Sequence, residues 1–347
     1  MVESDSGKGG AKSPKKAKAS PRPKRRAGTV ALVGRPNVGK STLMNALLGE
    51  RLTITSAKPQ TTRDRIAGIL TNDSEQFVFL DTPGIHAART KLGARMNAVA
   101  EEAARDADVV VFLCELGESP SPEMAREDLA ILQRVPEGKK IVLVLNKVDR
   151  VKDKSVLFPV LEGLAKVRDF AAIVPLSARK VDGGARVLAE VGPLLPEGEF
   201  LYPEDEISDK PVRFFVAEYV REQVLKHTRN EVPHGVAVEV ESFDEGLRVP
   251  RIQVVLHVDK ESHKAIVLGE KGQLMKEIGT GARARVEELV GRQVHLAVHV
   301  RVTAGWYEND ARLNELGYAR SLSGERTQKK SPKGSSGPND PRKDSKR

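Results

Sequence analysis

The chain has one cysteine among its 347 residues, so no disulfide can form within it and a reducing, cytoplasmic compartment is expected. That residue, Cys114, sits in the apolar run 109–114 and is read as a small core residue. Aromatics are also scarce, 4% of the sequence, which leaves too few rings for a broad base-stacking platform. No apolar stretch approaches the roughly 20 residues that span a bilayer, and the N-terminal stretch carries charge without an apolar signal region. A soluble chain, at most peripheral to a membrane, is expected.

Acidic residues are sparse at the two ends. Residues 1–27 hold nine Lys/Arg against Glu3 and Asp5, and residues 324–347 hold eight against Glu325, Asp340 and Asp344. The formal charge of +9 therefore belongs to the tails, which carry +12 between them and leave residues 28–323 at −3. Both tails are rich in Ser, Pro, Gly and Lys and too polar to offset the entropy of ordering, so they are expected to be disordered. Such segments can hold nucleic acid or the anionic inner face of a membrane.

Between the tails, short β-rich runs at 29–33, 76–81, 109–113, 140–146 and 171–176 alternate with helical stretches. Three of the runs are apolar almost throughout, as parallel strands covered on both faces must be. The alternation predicts a doubly wound α/β domain over 28–195. Residues 196–210, with Pro196, Gly198, Pro203 and the acidic Glu204, Asp205 and Glu206, have linker chemistry. Beyond them the periodicity gives a helix, two strands, two helices and a strand over 211–305. This αββααβ order implies an α+β domain with helices on one side of a three-stranded sheet. A closing segment, 306–323, contains Trp306, Tyr307 and Asp310, to which a packing role is assigned.

Three motifs end predicted strands. The run Gly34-Arg35-Pro36-Asn37-Val38-Gly39-Lys40-Ser41-Thr42 matches the P-loop pattern between a strand and a helix. Its backbone N–H groups wrap phosphates, Lys40 reaches the β and γ oxygens and Ser41 ligates Mg2+. Asp81-Thr82-Pro83-Gly84 offers a carboxylate to Mg2+ through water and a glycine N–H to the γ-phosphate. Asn146-Lys147-Val148-Asp149 supplies a carboxylate whose two acceptors match guanine N1–H and its 2-amino group. Adenine has no such donor pair, so the motif favours GTP over ATP.

In this order the motifs resemble the GTPases of the translation-factor class, together with Ser177-Ala178, whose backbone N–H would meet guanine O6. Within that class the sequence is similar to the Era family, over roughly residues 28–323. Gln60-Thr61-Thr62-Arg63-Asp64 resembles the family's switch I, and Thr62 is expected to ligate Mg2+ and sense the γ-phosphate. Lys40, Thr62 and Gly84 are thus the expected catalytic set. Ile85 stands where Ras-like enzymes place a water-orienting glutamine, so slow intrinsic turnover is expected. Asn37 resembles the residue that helps seat K+ in related GTPases; a hydrogen bond that shapes the loop is the other reading. His86 is expected to be an exposed loop residue.

Gly269-Glu270-Lys271-Gly272 lies between two predicted helices, where a GxxG loop clamps the nucleic-acid backbone. At this glycine content about two such matches arise by chance, so the flanking αββααβ order carries the assignment. It resembles the type II KH domain of the Era family. Arg283, Arg285 and Arg292 either extend a positive surface or form a solvated face. Ile266, Val267 and Ile278 either floor a base-binding groove or fill the core. His295 and His299 share a strand face but stand about 13 Å apart, too far to share a metal. The resemblance implies a monomeric GTPase that binds single-stranded RNA at the 3′ end of small-subunit (16S) rRNA and acts in assembly of the small ribosomal subunit. A protein-docking or membrane-docking role for the second domain is the alternative.

Overall fold

The computed structural model describes residues 25–180, 182–228 and 232–318. The expectation for the basic tails falls outside these residues except at 25–27, where it is corrected. The first strand, β1 (Arg26–Gly34), starts two residues before the predicted domain. Arg26 pairs with Glu75, and its guanidinium donates to the carbonyls of Pro193 and Leu195, both at 2.9 Å.

The first domain continues with α1 (Lys40–Leu48), β2 (Ile66–Thr71), β3 (Glu75–Asp81), α2 (Lys91–Asp106), β4 (Val109–Glu115), α3 (Arg126–Leu132) and β5 (Lys140–Asn146). It closes with α4 (Leu157–Ala165), β6 (Ala172–Pro175) and α5 (Asp182–Val191). The sheet order is β2-β3-β1-β4-β5-β6, parallel except for β2. β1, β4 and β5 are buried on both faces because helices cover both sides, which is why they read as unbroken apolar runs. Cys114 is buried in this core, and burial pushes its thiol pKa far up. The antiparallel edge strand β2 is absent from the predicted set.

Residues 196–210 do not hang free. Gln76, fully buried at the end of the sheet, accepts from the N–H groups of Leu201 and Tyr202 at 2.7 and 2.9 Å. Ile69 then donates to the Ile207 carbonyl at 3.0 Å, and Ser208 donates to the Ala67 carbonyl at 2.7 Å. The connection thus covers the open edge of β2, an edge that would otherwise expose unpaired backbone groups.

The second domain has the expected order: α6 (Val212–His227), β7 (Val236–Asp244), β8 (Arg251–Val258), α7 (Glu261–Leu268), α8 (Gln273–Val290) and β9 (His295–Val302). β7 pairs antiparallel and β9 parallel with β8. α6 is buried almost all round, from Phe215 through Leu225, with Arg221, Glu222 and Gln223 included. A helix with apolar residues on every face must be covered on every face. One side packs in the second domain's core and the other meets the first domain, through an apolar cluster that includes Leu52, Ile54, Ile66, Phe215 and Val216. A short helix, α9 (Asp310–Glu315), is the last element of the described chain, which runs on to Tyr318. Trp306 before it is fully buried and has the packing role assigned to it, its Nε1 donating to the Gly235 carbonyl at 3.1 Å.

Candidate functional site

The P-loop, residues 57–62, the 82–84 turn, the 146–149 segment and Ser177-Ala178 surround one cavity of about 480 Å³. All but residues 57–62, which lie in the loop between α1 and β2, leave the carboxyl end of a strand, and the P-loop enters the N-terminus of α1, where backbone N–H groups are unpaired and the field favours anions. Pro36, Asn37, Gly39, Lys40, Ser41 and Thr42 line one wall, Thr62 and Gly84 another, and Asp149, Ser177 and Ala178 the base end. Val38 is a core residue, 1% exposed, that contributes its backbone.

Lys40 is buried, and its Nζ donates to the carbonyls of Gly34 and Arg35 at 3.2 and 2.9 Å. Burial depresses its pKa to about 8, against the pull of Asp81. Asp81 is pushed the other way, up to about 6, because it has no solvent contact; hydrogen bonds from Ser41 and Thr62 and the charge of Lys40 offset only part of this. Ser41 Oγ lies 2.7 Å from Asp81 Oδ2 and 2.8 Å from Thr62 Oγ1, and Thr62 Oγ1 lies 3.2 Å from the same carboxylate oxygen. The other oxygen, Asp81 Oδ1, is buried without a hydrogen-bond partner. Three hard oxygen donors converging beside an unsatisfied carboxylate oxygen fit Mg2+, which holds several waters and takes one or two protein oxygens. When bound, the ion would neutralise charge on the β- and γ-phosphates.

Gly84 approaches the P-loop so closely that a Cβ there would meet Pro36 N at 2.5 Å and Pro36 Cα at 2.6 Å. The following residue, Ile85, is 3% exposed and packs in the core layer below α2, so its hydrocarbon faces away from the cavity. Its N–H donates to the Gly34 carbonyl at 3.3 Å. His86 is not the exposed loop residue expected. It is half-buried, with Nε2 3.0 Å from Gln60 Nε2 and Nδ1 3.0 Å from the Gly84 carbonyl.

At the base end Asp149 is exposed, its pKa lowered first by a hydrogen bond from Ser177. A carboxylate held ionised at the mouth is suited to two guanine donors. Asn146 has a different part. Its Nδ2 donates to the Val38 carbonyl at 2.7 Å, and its Oδ1 accepts from Lys147 N at 2.8 Å and Ala178 N at 2.9 Å. Of the Ser177-Ala178 pair expected at guanine O6, the Ala178 N–H is thus given to Asn146, which ties the base end to the P-loop. Lys147 reaches back to the Asn37 carbonyl at 2.8 Å and to the Glu115 carboxylate. Asn37 itself donates through Nδ2 to the Ala57 carbonyl at 2.8 Å, so the loop-shaping role exists. A cation ligand would be Oδ1, at the other end of that amide.

The Gly269–Gly272 turn joins α7 to α8 with Gly269 at φ 69°, Lys271 at φ 52° and Gly272 at φ 79°. A Cβ on Gly269 would meet Leu274 Cβ at 2.7 Å, whereas Gly272 opens on empty space. Glu270 and Lys271 are exposed, so an incoming phosphate has access to the backbone and a cation. Of the three floor candidates, Val267 and Ile278 are fully buried and belong to the core, while Ile266 is 49% exposed beside the loop. Arg283 is exposed on α8 but lies about 16 Å along the helix from Gly272, beyond reach of the same phosphate. Arg285 is turned to the first domain, donating to the Arg51 carbonyl at 3.0 Å, with its guanidinium 4.6 Å from the centre of the Tyr219 ring. Arg292 donates to the Glu245 carbonyl at 3.0 Å.

Sequence reasoning misses the residues that join the two sites. From α6, Arg221 donates to the Thr61 carbonyl. From the loop just before switch I, Lys58 donates to the carbonyls of Leu225 and Thr228 at the end of α6, and from switch I Arg63 donates to the Val236 carbonyl. On α2, Arg95 holds Asp310 at 2.6 Å, Asn314 at 2.8 Å and the Tyr318 carbonyl. The available signal is the triplet Arg221-Glu222-Gln223 inside a helix with apolar residues on every face. Glu218 on the same helix satisfies part of the Arg221 guanidinium, and its remaining buried N–H groups need an acceptor from elsewhere in the fold.

A family model described as a 50S ribosome-binding GTPase matches residues 29–147, and a KH-domain model matches 231–307. The GTPase Era of Ruminiclostridium cellulolyticum is 42% identical over 298 residues, 84% of this chain and 97% of the relative. That of Geobacter metallireducens is 44% identical over 300 residues, 84% of this chain and 98% of the relative. A crystal structure of Era with MgGDPNP and nucleotides 1506–1542 of 16S ribosomal RNA aligns with a TM-score of 0.79 at 37% identity, covering 85% of this chain and 99% of that one. An Aquifex aeolicus Era variant bound to GDP and tetrafluoroaluminate aligns with a TM-score of 0.78 at 36% identity, with the same coverage.

Proposed function

This chain belongs to the Era family of GTPases, and from that premise we propose that it is a GTP-timed clamp on the 3′ end of 16S rRNA, acting in assembly of the small ribosomal subunit. GTP is hydrolysed in the first domain, and the KH domain holds the RNA backbone at Gly269–Gly272. The observation that carries the coupling is that switch I is held by the KH domain itself. Thr61 and Thr62 are adjacent; the carbonyl of Thr61 is gripped by Arg221, while the hydroxyl of Thr62 joins Ser41 and Asp81. A γ-phosphate and Mg2+ that order Thr62 thereby bias how α6 sits, and loss of the phosphate releases it.

The test is RNA affinity. An oligonucleotide of the 16S 3′ end is titrated against the full-length protein with Mg2+ and either a non-hydrolysable GTP analogue or GDP. The proposal expects tighter binding with the analogue; equal affinity in the two states, or no preference over a scrambled oligonucleotide, would overturn it.

The working unit proposed is a cytoplasmic monomer. Among the described residues no helix is long and apolar enough to cross a membrane, and a peripheral membrane contact would rest on the tails, outside those residues. K+ is proposed to act beside Mg2+, ligated by Asn37 Oδ1, in the place of an arginine finger. Hydrolysis equally fast in potassium and in sodium would refute it.

A further inference from the structure

We propose that His86 is a positioning residue for GTP hydrolysis, fixing the Gly84–Ile85 backbone and switch I as one unit around the γ-phosphate end of the cavity. The ring bridges the two: Gln60 Nε2 donates to His86 Nε2 at 3.0 Å, so the ring hydrogen sits on Nδ1 and is given to the Gly84 carbonyl at 3.0 Å. The Gly84–Ile85 peptide is then held at both polar ends, since the Ile85 N–H is already given to the Gly34 carbonyl of the P-loop. His86 is itself held: its N–H donates to Asn97 Oδ1 at 3.3 Å, and Asn97 Nδ2 donates to its carbonyl at 2.7 Å. Asn97 lies on α2, in a buried stretch that also contains Met96. The imidazole is thus anchored to α2 while its two nitrogens reach Gln60 of switch I and the Gly84 carbonyl.

This arrangement matters because the side chain at position 85 is buried and cannot order water. The groups left to define where water sits beside a γ-phosphate held by Lys40 are the backbone at Gly84, the Thr62 region and the Gln60 amide, and Gln60, Thr62 and Gly84 all line the cavity. Holding them in register lowers the entropic cost of reaching the reactive geometry without adding affinity for bound GTP. His86 acts through Gly84 and Gln60 and need not touch the nucleotide. The inference rests on hydrolysis at this site and not on the RNA reading, which the oligonucleotide titration tests separately.

The test uses full-length His86→Ala, His86→Asn and Gln60→Ala with Mg2+ and GTP, reading kcat, KM and affinity for a non-hydrolysable GTP analogue. His86→Ala is expected to lower kcat about tenfold or more with KM and analogue affinity within about twofold. His86→Asn, whose amide N–H replaces the Nδ1 hydrogen toward Gly84, is expected to recover most of that rate, and Gln60→Ala to lose part of it. Wild-type kcat in His86→Ala, a fall in rate matched by a fall in analogue affinity, or His86→Asn as slow as His86→Ala would each overturn the proposal. Should His86→Ala fail to fold, Gln60→Ala decides: lower kcat at unchanged KM supports the bridge, and wild-type kcat refutes it.

Discussion

Arg221 of the KH domain donates to the backbone carbonyl of Thr61, one residue from the hydroxyl of Thr62 that meets Ser41 and Asp81. The guanidinium is 1% exposed and is oriented by Glu218, at 2.8 Å from Nε. A buried, oriented cation on a switch carbonyl is a direct mechanical link between the two domains. Arg221→Ala removes it and leaves Glu218 without its partner, which should cost about 3 kcal/mol of stability. RNA affinity should become the same with GTP analogue and with GDP, while the nucleotide is still hydrolysed. Melting curves and the two-state titration read both effects.

Asp149→Asn replaces two acceptors by one acceptor and one donor, against two donors on guanine. GTP affinity should fall by about a hundredfold or more, and xanthosine triphosphate, which offers an oxygen in place of the 2-amino group, should bind better than GTP. Competition binding between the two nucleotides checks this; retained GTP preference would remove Asp149 from base recognition.

The buried Asp81 predicts an inverted pH dependence. Its folded pKa of about 6 lies above the ordinary 3.8, so its contribution to stability is full below pH ~4 and is lost as pH rises through 6. Ionised and without metal at neutral pH, it should cost the nucleotide-free protein up to about 3 kcal/mol. Asp81→Asn should therefore raise the melting temperature of that state at pH 7.5 but not at pH 4, while abolishing Mg2+-dependent hydrolysis. Thermal melts at the two pH values, with and without MgGTP, separate the effects.

Gly84→Ala would drive a Cβ into Pro36 backbone atoms at 2.5 to 2.6 Å, so the turn must retreat from the P-loop. Hydrolysis should fall by about a hundredfold, with GDP affinity nearly intact because the γ-phosphate side alone is disturbed. Equal losses for GDP and GTP would place the damage in the P-loop instead.

In the KH domain, replacing Glu270 and Lys271 by aspartate sets negative charge against incoming phosphates. RNA binding should be lost with basal GTP hydrolysis retained. Because each phosphate contact contributes about −0.7 to the log–log salt slope for single strands, Lys271→Ala alone should flatten that slope by about that amount. Unchanged affinity would move the RNA site elsewhere.

The parallel strands and the αββααβ order are legible in the sequence because each depends on periodicity within one element: double-sided burial leaves a continuous apolar run, and single-sided burial leaves alternation. β2 is not. Its central Gly68 sits under Met44 and Leu48, and its outer edge is covered by the chain at 207–208, so its identity as a strand rests on partners far away in sequence. His86 illustrates the same limit. Nothing in a loop sequence distinguishes an exposed histidine from one held by Asn97 and shared between Gln60 and Gly84.

What the sequence determined by itself is which contiguous residues carry the proposed chemistry: the phosphate loop, the aspartate proposed to face magnesium, the carboxylate proposed to select guanine and the GxxG turn, since each would work through neighbouring backbone groups and fixed spacing. Only the tertiary structure decided how these are wired together. It gave Asn146 to the P-loop and Ala178, sank Ile85 into the core, and set the grip of Arg221, Lys58 and Arg63 across switch I. The reason is that these contacts join residues separated by tens to hundreds of positions, and their energy comes from burial that no single segment can supply.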